Sequence, residues 1–302
     1  MSGNHGHTAN KKALLTTFIL ISGFMIAEFL GGLFTNSLAL LSDSGHMLSD
    51  SFSLGLSLLA FRMADKQATD EKTYGFKRFE VLAALFNGIT LFAISIYIFI
   101  EAYQRFLEPP SVASYGMLGI AFLGLVINII VAWILRSKGD TKENLNMRSA
   151  FLHVLGDLLG SVGAIVAALL ILFFNWNLAD PIVSVVVSIL IIISAWRVTK
   201  DSIHVLMEGT PETITMKEVT TTLLSIPNVE DIHDLHVWTI TSGYPALSGH
   251  LEVKTNSDRD KILLQATQML KEEFGIEHST LQLEDVNSPV KDQENHWDWE
   301  RR

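Results

Sequence analysis

The sequence predicts an α-helical membrane protein with six transmembrane helices, followed by a small cytoplasmic α+β domain. Three observations predict it. Six apolar segments precede Glu208, each near the roughly 20 residues that carry a helix across a hydrocarbon core. Lys and Arg gather in alternate loops between those segments, the charge asymmetry of a multi-pass membrane chain. After Glu208-Gly209-Thr210-Pro211 the composition turns polar and strongly acidic.

The segments lie at 13–34, 38–61, 79–107, 112–135, 148–174 and 178–206. They explain why 49% of the chain is hydrophobic and only 18% charged, against about 25% charged in a soluble domain. The first follows Lys11 and Lys12. It is too long for the h-region of a signal peptide and no A-x-A site closes it, so it reads as a span. Residues 1–12 become a cytoplasmic N-terminal segment, in which His5 and His7 form a loose H-G-H. Thr35-Asn36-Ser37 makes a short turn into the second span. Pro109-Pro110 and Asp180-Pro181 mark two further breaks, since proline ends a helix near the residue before it.

One side of the membrane collects Lys11, Lys12, Arg62, Lys66, Lys72, Lys77, Arg78, Arg136, Lys138, Lys142, Arg148, Arg197 and Lys200. The other holds only Arg105. Positive loops stay cytoplasmic, so both termini of this multi-pass cell-membrane protein are predicted on the cytoplasmic side. The membrane domain then runs over 13–208, a soluble domain over 209–286 and a polar tail over 287–302, with Trp297 and Trp299.

In the soluble part, 214–226 and 257–274 read as helices, and 229–240, 246–254 and 280–284 as strands. Ile262, Leu263, Ala266, Met269, Leu270 and Phe274 recur at helical spacing, while Thr280 to Glu284 alternate. The order αββαβ implies helices on one face of a small sheet. Residues 209–302 carry 17 acidic and 8 basic residues. Nucleic acid is therefore excluded as a partner class. There are no cysteines, which excludes disulfides and thiolate metal sites.

The chemistry concentrates in two spans. The second contains His46-Met47-Leu48-Ser49-Asp50 and the fifth His153-Val154-Leu155-Gly156-Asp157. Residues four apart on an α-helix point the same way, about 6 Å apart along the axis. Two such pairs supply four ligands around one point, and imidazole with carboxylate suits tetrahedral Zn²⁺. A lone intramembrane histidine often only bonds a neighbouring helix. An intramembrane carboxylate costs about 2.5–3.5 kcal/mol on insertion scales and marks a pathway. Asp43, one turn before His46, reads equally as a relay carboxylate, as a ligand on the way in, or as a cap at the helix start. Glu28 and Asn128 read as interhelical hydrogen-bonding groups. Ser42, Gly45, Ser49 and Ser53 on the second span, and Gly156, Gly160 and Gly163 on the fifth, allow close helix approach.

The two H-x-x-x-D pairs, the stretch Tyr74-Gly75-Phe76-Lys77-Arg78-Phe79-Glu80-Val81-Leu82-Ala83-Ala84 and the segment His233-Asp234-Leu235-His236-Val237-Trp238 resemble the cation diffusion facilitator family, and within it the cobalt–zinc–cadmium resistance type of bacterial exporter. The resemblance covers nearly the whole chain. It implies a homodimer that exchanges cytoplasmic divalent metal for protons, with a metallochaperone-like cytoplasmic domain that dimerises. It places the transport site on His46, Asp50, His153 and Asp157, and histidine at the first position goes with zinc. It places a cytoplasmic metal site on His233, His250, His278 and Glu284. Strand alternation puts His236 on the face opposite His233. It also implies a charge interlock of Arg78 with Glu208 near the dimer interface. The 65–72 loop lacks histidine, so no further metal site is predicted there.

Ligand chemistry supplies the mechanism: protons and metal compete for imidazole nitrogen and carboxylate oxygen. The expected function is proton-coupled efflux of Zn²⁺, with Co²⁺ and Cd²⁺ as related cargo, by alternating access. Two rival classes are a membrane metal sensor and an intramembrane zinc enzyme. A sensor has no need of acidic ligands deep in two spans. A catalytic zinc keeps an open position beside three ligands, and no H-E-x-x-H is present.

Overall fold

A computed structural model describes residues 3–63, 68–138, 145–241 and 243–286, with side chains described for 15–52, 55, 68–134, 157–241 and 243–286. The chain divides into two units: Met1–Phe76 with Leu82–Lys200, and Lys77–Val81 with Asp201–Arg302.

The apolar segments fold as six helices: α1 (Gly3–Thr35), α2 (Leu38–Met63), α3 (Phe79–Leu107), α4 (Ser114–Lys138), α5 (Leu145–Phe174) and α6 (Ala179–Leu206). Their ends follow local chemistry. Asn36 takes a left-handed φ of 55° that breaks α1 from α2, a conformation asparagine tolerates better than most residues. Ser37 Oγ then accepts the Leu40 amide, as an N-cap does. Pro181 sits in the first turn of α6, where its missing N–H costs nothing. α1 begins ten residues before the predicted span, at Gly3. His5 and His7 therefore lie on a helix, with side chains outside the described residues. Trp297 and Trp299 of the tail lie outside the described residues.

Among the described residues, five helical stretches are long and apolar enough to cross a membrane: Leu15–Thr35, Phe79–Leu107, Ser114–Ile134, Asp157–Phe174 and Ala179–Leu206. α2 is not among them. Its first half carries Ser42, Asp43, Ser44, His46, Ser49, Asp50 and Ser51, and this polarity is the signature of the site it holds. Most of the described first half of α2 is nevertheless buried inside the helical unit. Leu38 and Leu40 are fully enclosed and Met47 nearly so. Ala39 and Leu40 pack with Met117 and Ala121 of α4 and with Ala164, Ala167 and Ala168 of α5. Met47 packs with Ile21 and Phe24 of α1 and Val131 of α4. α3 and α6 pair through Leu91, Val187, Ile191 and Ala195. The outward surface is apolar, with Phe29, Phe34, Phe86, Tyr97, Trp133, Phe173 and Trp196 exposed. Such a surface suits lipid, whereas a soluble monomer rarely shows large apolar patches.

The second unit has the order α7 (Met216–Leu224), β1 (Val229–Thr241), β2 (Tyr244–Val253), α8 (Arg259–Phe274) and β3 (His278–Asp285). The sheet runs β1-β2-β3, with β1 antiparallel and β3 parallel to β2. Val219, Leu223, Ile262, Ala266 and Leu270 of the helices share one core with Leu235, Val237, Leu247, Leu251 and Val253 of the strands. α8 is closed at both ends. Asp258 accepts the Lys261 amide at 3.1 Å, and Gly275 supplies the left-handed C-terminal residue at φ 67°.

Candidate metal centres

The helical site forms where α2 meets α5. His46, Asp50 and Asp157 each offer a ligand atom, and these atoms lie within 4.8 Å of one another. His46 Nε2 stands 3.5 Å from an oxygen of Asp157. Ligands about 2 Å from one tetrahedral ion stand roughly 3.3 Å apart, close to the His46–Asp157 separation. Asp50 and Asp157 are buried, and the His46 side chain is 20% exposed. His153 lies on α5 one turn before Asp157; its side chain falls outside the described residues. The i, i+4 spacing on α2 thus does what the sequence predicts for His46 and Asp50.

The surroundings are polar and tightly fitted. Asn87 of α3 donates to Ser49 at 2.7 Å, and Asn128 of α4 donates to Ser161 of α5 at 3.3 Å. Asp43 is the sixth residue of α2 and buried, so it does not cap the helix start. Its carboxyl group instead lies beside that of buried Glu28. A Cβ added at Gly160 would come 2.8 Å from an Asp43 oxygen. Glycine there lets α5 approach α2.

The second site lies on the sheet face away from α7 and α8. His233 pairs with His250 across β1 and β2, and Glu252 pairs with Glu284 across β2 and β3. His250 Nδ1 is 3.0 Å and His233 Nε2 3.6 Å from oxygens of Glu284. The two imidazoles meet edge to face with centroids 5.1 Å apart. His233, His250 and Glu284 form a group whose ligand atoms lie within 4.8 Å. Glu252 belongs beside them: its carboxylate is 2% exposed and 3.4 Å from His233 Nδ1. Sequence reading missed it, although alternation with His250 two residues earlier was the signal.

His278 is not brought to this group. The parallel register sets it opposite Ala246, four residues from His250, and its ring stacks on Tyr244. His236 also departs from simple alternation. A bulge at Asp234 and Leu235, with Asp234 at φ 49°, lets two residues oppose Gly249. The extra residue resets the pleat, so His236 pairs with Ser248 on the same face as His233. It is exposed and bonds Asp234 at 2.9 Å. Arg78 and Glu208 meet within one chain at 3.2 Å, both exposed.

An imidazole and two buried carboxylates between membrane-spanning helices, with a separate His/Glu group on a sheet, define the class: a membrane protein that handles divalent metal. The comparisons specify it. The cation efflux transmembrane domain family matches residues 14–207 and the cation efflux cytoplasmic domain family matches 211–286. The chain belongs to the cation efflux family of membrane transporters. It is 55% identical over 287 residues to the cadmium, cobalt and zinc/H⁺-K⁺ antiporter of Bacillus subtilis, covering 94% of this chain and 92% of that one. It is 42% identical to the zinc transporter ZitB of Escherichia coli, covering 94% and 93%. It is 40% identical to the metal cation efflux system protein CzcD of Cupriavidus metallidurans, covering 94% and 90%. The metal-bound C-terminal domain of the latter transporter matches 24% of this chain and 99% of that domain at 36% identity, with a TM-score of 0.23.

Proposed function

We propose that this transporter exports Zn²⁺, with Cd²⁺ and Co²⁺ as related cargo, in exchange for protons. The observation that carries the reading is the group of His46, Asp50 and Asp157 on two helices of the membrane unit, with both carboxylates buried and the imidazole mostly so. His153 completes it as the fourth ligand. Neutral imidazole and ionised carboxylate bind metal, and their protonated forms do not. Opening the site to the acidic side loads protons and expels metal. Opening it to the cytoplasm releases protons and readmits metal. Asp43, buried one turn from His46 and held against Glu28, acts as a relay carboxylate between site and solvent.

His233, His250, Glu252 and Glu284 form a cytoplasmic site that binds Zn²⁺ as a structural ligand. The chain works as a homodimer through both domains, with both termini cytoplasmic. The Arg78–Glu208 pair interlocks the end of α6 with the start of α3. The dimerisation-type cytoplasmic domain, the loop charges and the 3.2 Å contact support these statements.

The test is metal uptake into inside-out vesicles with an imposed pH gradient. Uptake should rise when the vesicle interior is acidic and fall when the gradient is collapsed. Flux that ignores the gradient with all four ligands intact defeats proton exchange. A sensor would give no flux at all.

A further inference from the structure

Arg105 is the single basic residue that the sequence places on the outer side of the membrane, and α2 is the helix that carries two metal ligands. They meet in one buried cluster at the outer end of the helical unit. Asp180, in the first turn of α6, is fully enclosed. Its carboxylate accepts Ser37 Oγ at 2.6 Å, the Leu38 amide at 2.8 Å and the Ala39 amide at 3.1 Å. These are the first amides of α2, which have no partner within the helix. An anion there also meets the positive end of the helix dipole.

Arg105, near the end of α3, is 8% exposed. One of its nitrogens lies 3.6 Å from Asp180. It also donates to the Asn36 carbonyl at 2.7 Å, to the Asn36 side chain at 3.1 Å and to Glu101 at 2.9 Å. Ser184 closes the set by donating to the Asp180 carbonyl. Beside it Leu38, Ile98 and Ala102 form an apolar layer with Ile94 and Val185. The turn into α2 and its first amides are thus bonded to both α3 and α6.

We infer that Asp180 and Arg105 are positioning residues for transport: their ion-paired clasp fixes the outer end of α2 and thereby places His46 and Asp50 against Asp157. His46 lies eight residues from Leu38, about 12 Å along a stiff helix at 1.5 Å per residue. Rotation or sliding at the clasp therefore displaces the ligands directly. A buried charge whose partner is removed is strongly unfavourable, so the two residues act as one device. The inference rests on the transport-site reading above.

The test uses the full chain in vesicles, with Asp180→Asn, Asp180→Glu, Arg105→Gln and, in parallel, His46→Ala. Zn²⁺ flux is measured against Zn²⁺ concentration, and dimer elution and detergent solubility are recorded. Asp180→Asn keeps a cap acceptor but loses the charge. It should raise the KM for Zn²⁺ by roughly tenfold, the low end of what losing the groups that orient metal ligands costs. Asp180→Glu should recover part of that shift. Arg105→Gln leaves the cap in place and should give a smaller shift of the same sign. Should Asp180→Asn fail to fold, the Arg105→Gln shift decides alone. Wild-type KM in the folded Asp180→Asn or Arg105→Gln protein overturns the clasp. A fall in maximal rate with unchanged KM in both also overturns it. Undiminished flux in His46→Ala overturns the site reading instead, whatever the clasp variants do.

Discussion

The two metal centres use the same donor types but are built in opposite ways. In the helical unit, His46 and Asp50 face one way because a single helix turn separates them, and one contact between α2 and α5 adds Asp157. In the soluble domain, His233, His250, Glu252 and Glu284 come from three strands, and no two are set together by helical spacing. A one-turn spacing survives changes elsewhere in the chain. A strand site depends on register, and a slip of one residue moves every side chain to the other face. The membrane site is therefore robust in position, and the cytoplasmic site is sensitive to bulges and loops.

Their environments differ as well. Asp50 and Asp157 are buried in a helical unit whose outward surface is apolar, where an uncompensated charge is expensive. Loss of one ligand should thus be most damaging there. Asp157→Ala should lower Zn²⁺ flux at least about 100-fold, the upper range found even for outer-shell changes at metal sites. Flux assays in inverted vesicles check it, and near-normal transport would remove Asp157 from the site.

A smaller effect is expected on the sheet. Glu252→Gln should weaken Zn²⁺ binding by the cytoplasmic group roughly tenfold, whereas His278→Ala should leave it unchanged. Titration of the full chain carrying Asp50→Ala, which silences the membrane site, reads this directly. The reverse ranking would mean that the bound form uses a different register from the one described. Lower pH should weaken both centres, because imidazole and carboxylate must shed protons to bind metal. Proton release on adding Zn²⁺ should fall to about half its wild-type value when either centre is removed, if both are built from like donors.

The smallest effect belongs to the exposed Arg78–Glu208 pair, which as a surface ion pair is worth about 0–1 kcal/mol. Arg78→Glu should reduce flux or stability only modestly, and Glu208→Arg added to it should restore the loss. No restoration in the double variant breaks the pairing. The same stretch makes other contacts: Lys77 lies over the Tyr244 ring at 3.3 Å, and Glu80 accepts from Thr241 at 2.8 Å. One reversal is therefore unlike a full release of this segment.

Much of this was legible in the residues because the signals were local. Apolar runs as long as a bilayer is thick gave the helices, and their predicted ends fall within a few residues of those observed from α2 through α6, apart from the longer C-terminal side of α4 and N-terminal side of α5. His46 and Asp50 were readable from one spacing. The run of Ser, Asp and His along the first half of α2 marked the candidate site.

What tertiary structure alone decided was everything set by alignment between distant segments. Glu252 joins the histidines, and His278 does not, because the β2–β3 register places Glu284 beside Glu252 and His278 beside Ala246. His236 shares the face of His233 because a bulge inserts one residue, which strict alternation cannot foresee. Asp43 proved to be no cap because Asp180, 137 positions away in sequence, occupies that role through the first amides of α2. Arg105 looked like a loop charge and is a buried partner of that same carboxylate. By itself the sequence determined the helices, the acidic domain and the one-turn spacing of the candidate ligands, since periodicity and composition act over a few residues. Which carboxylates meet which amides and imidazoles depended on how helices and strands dock.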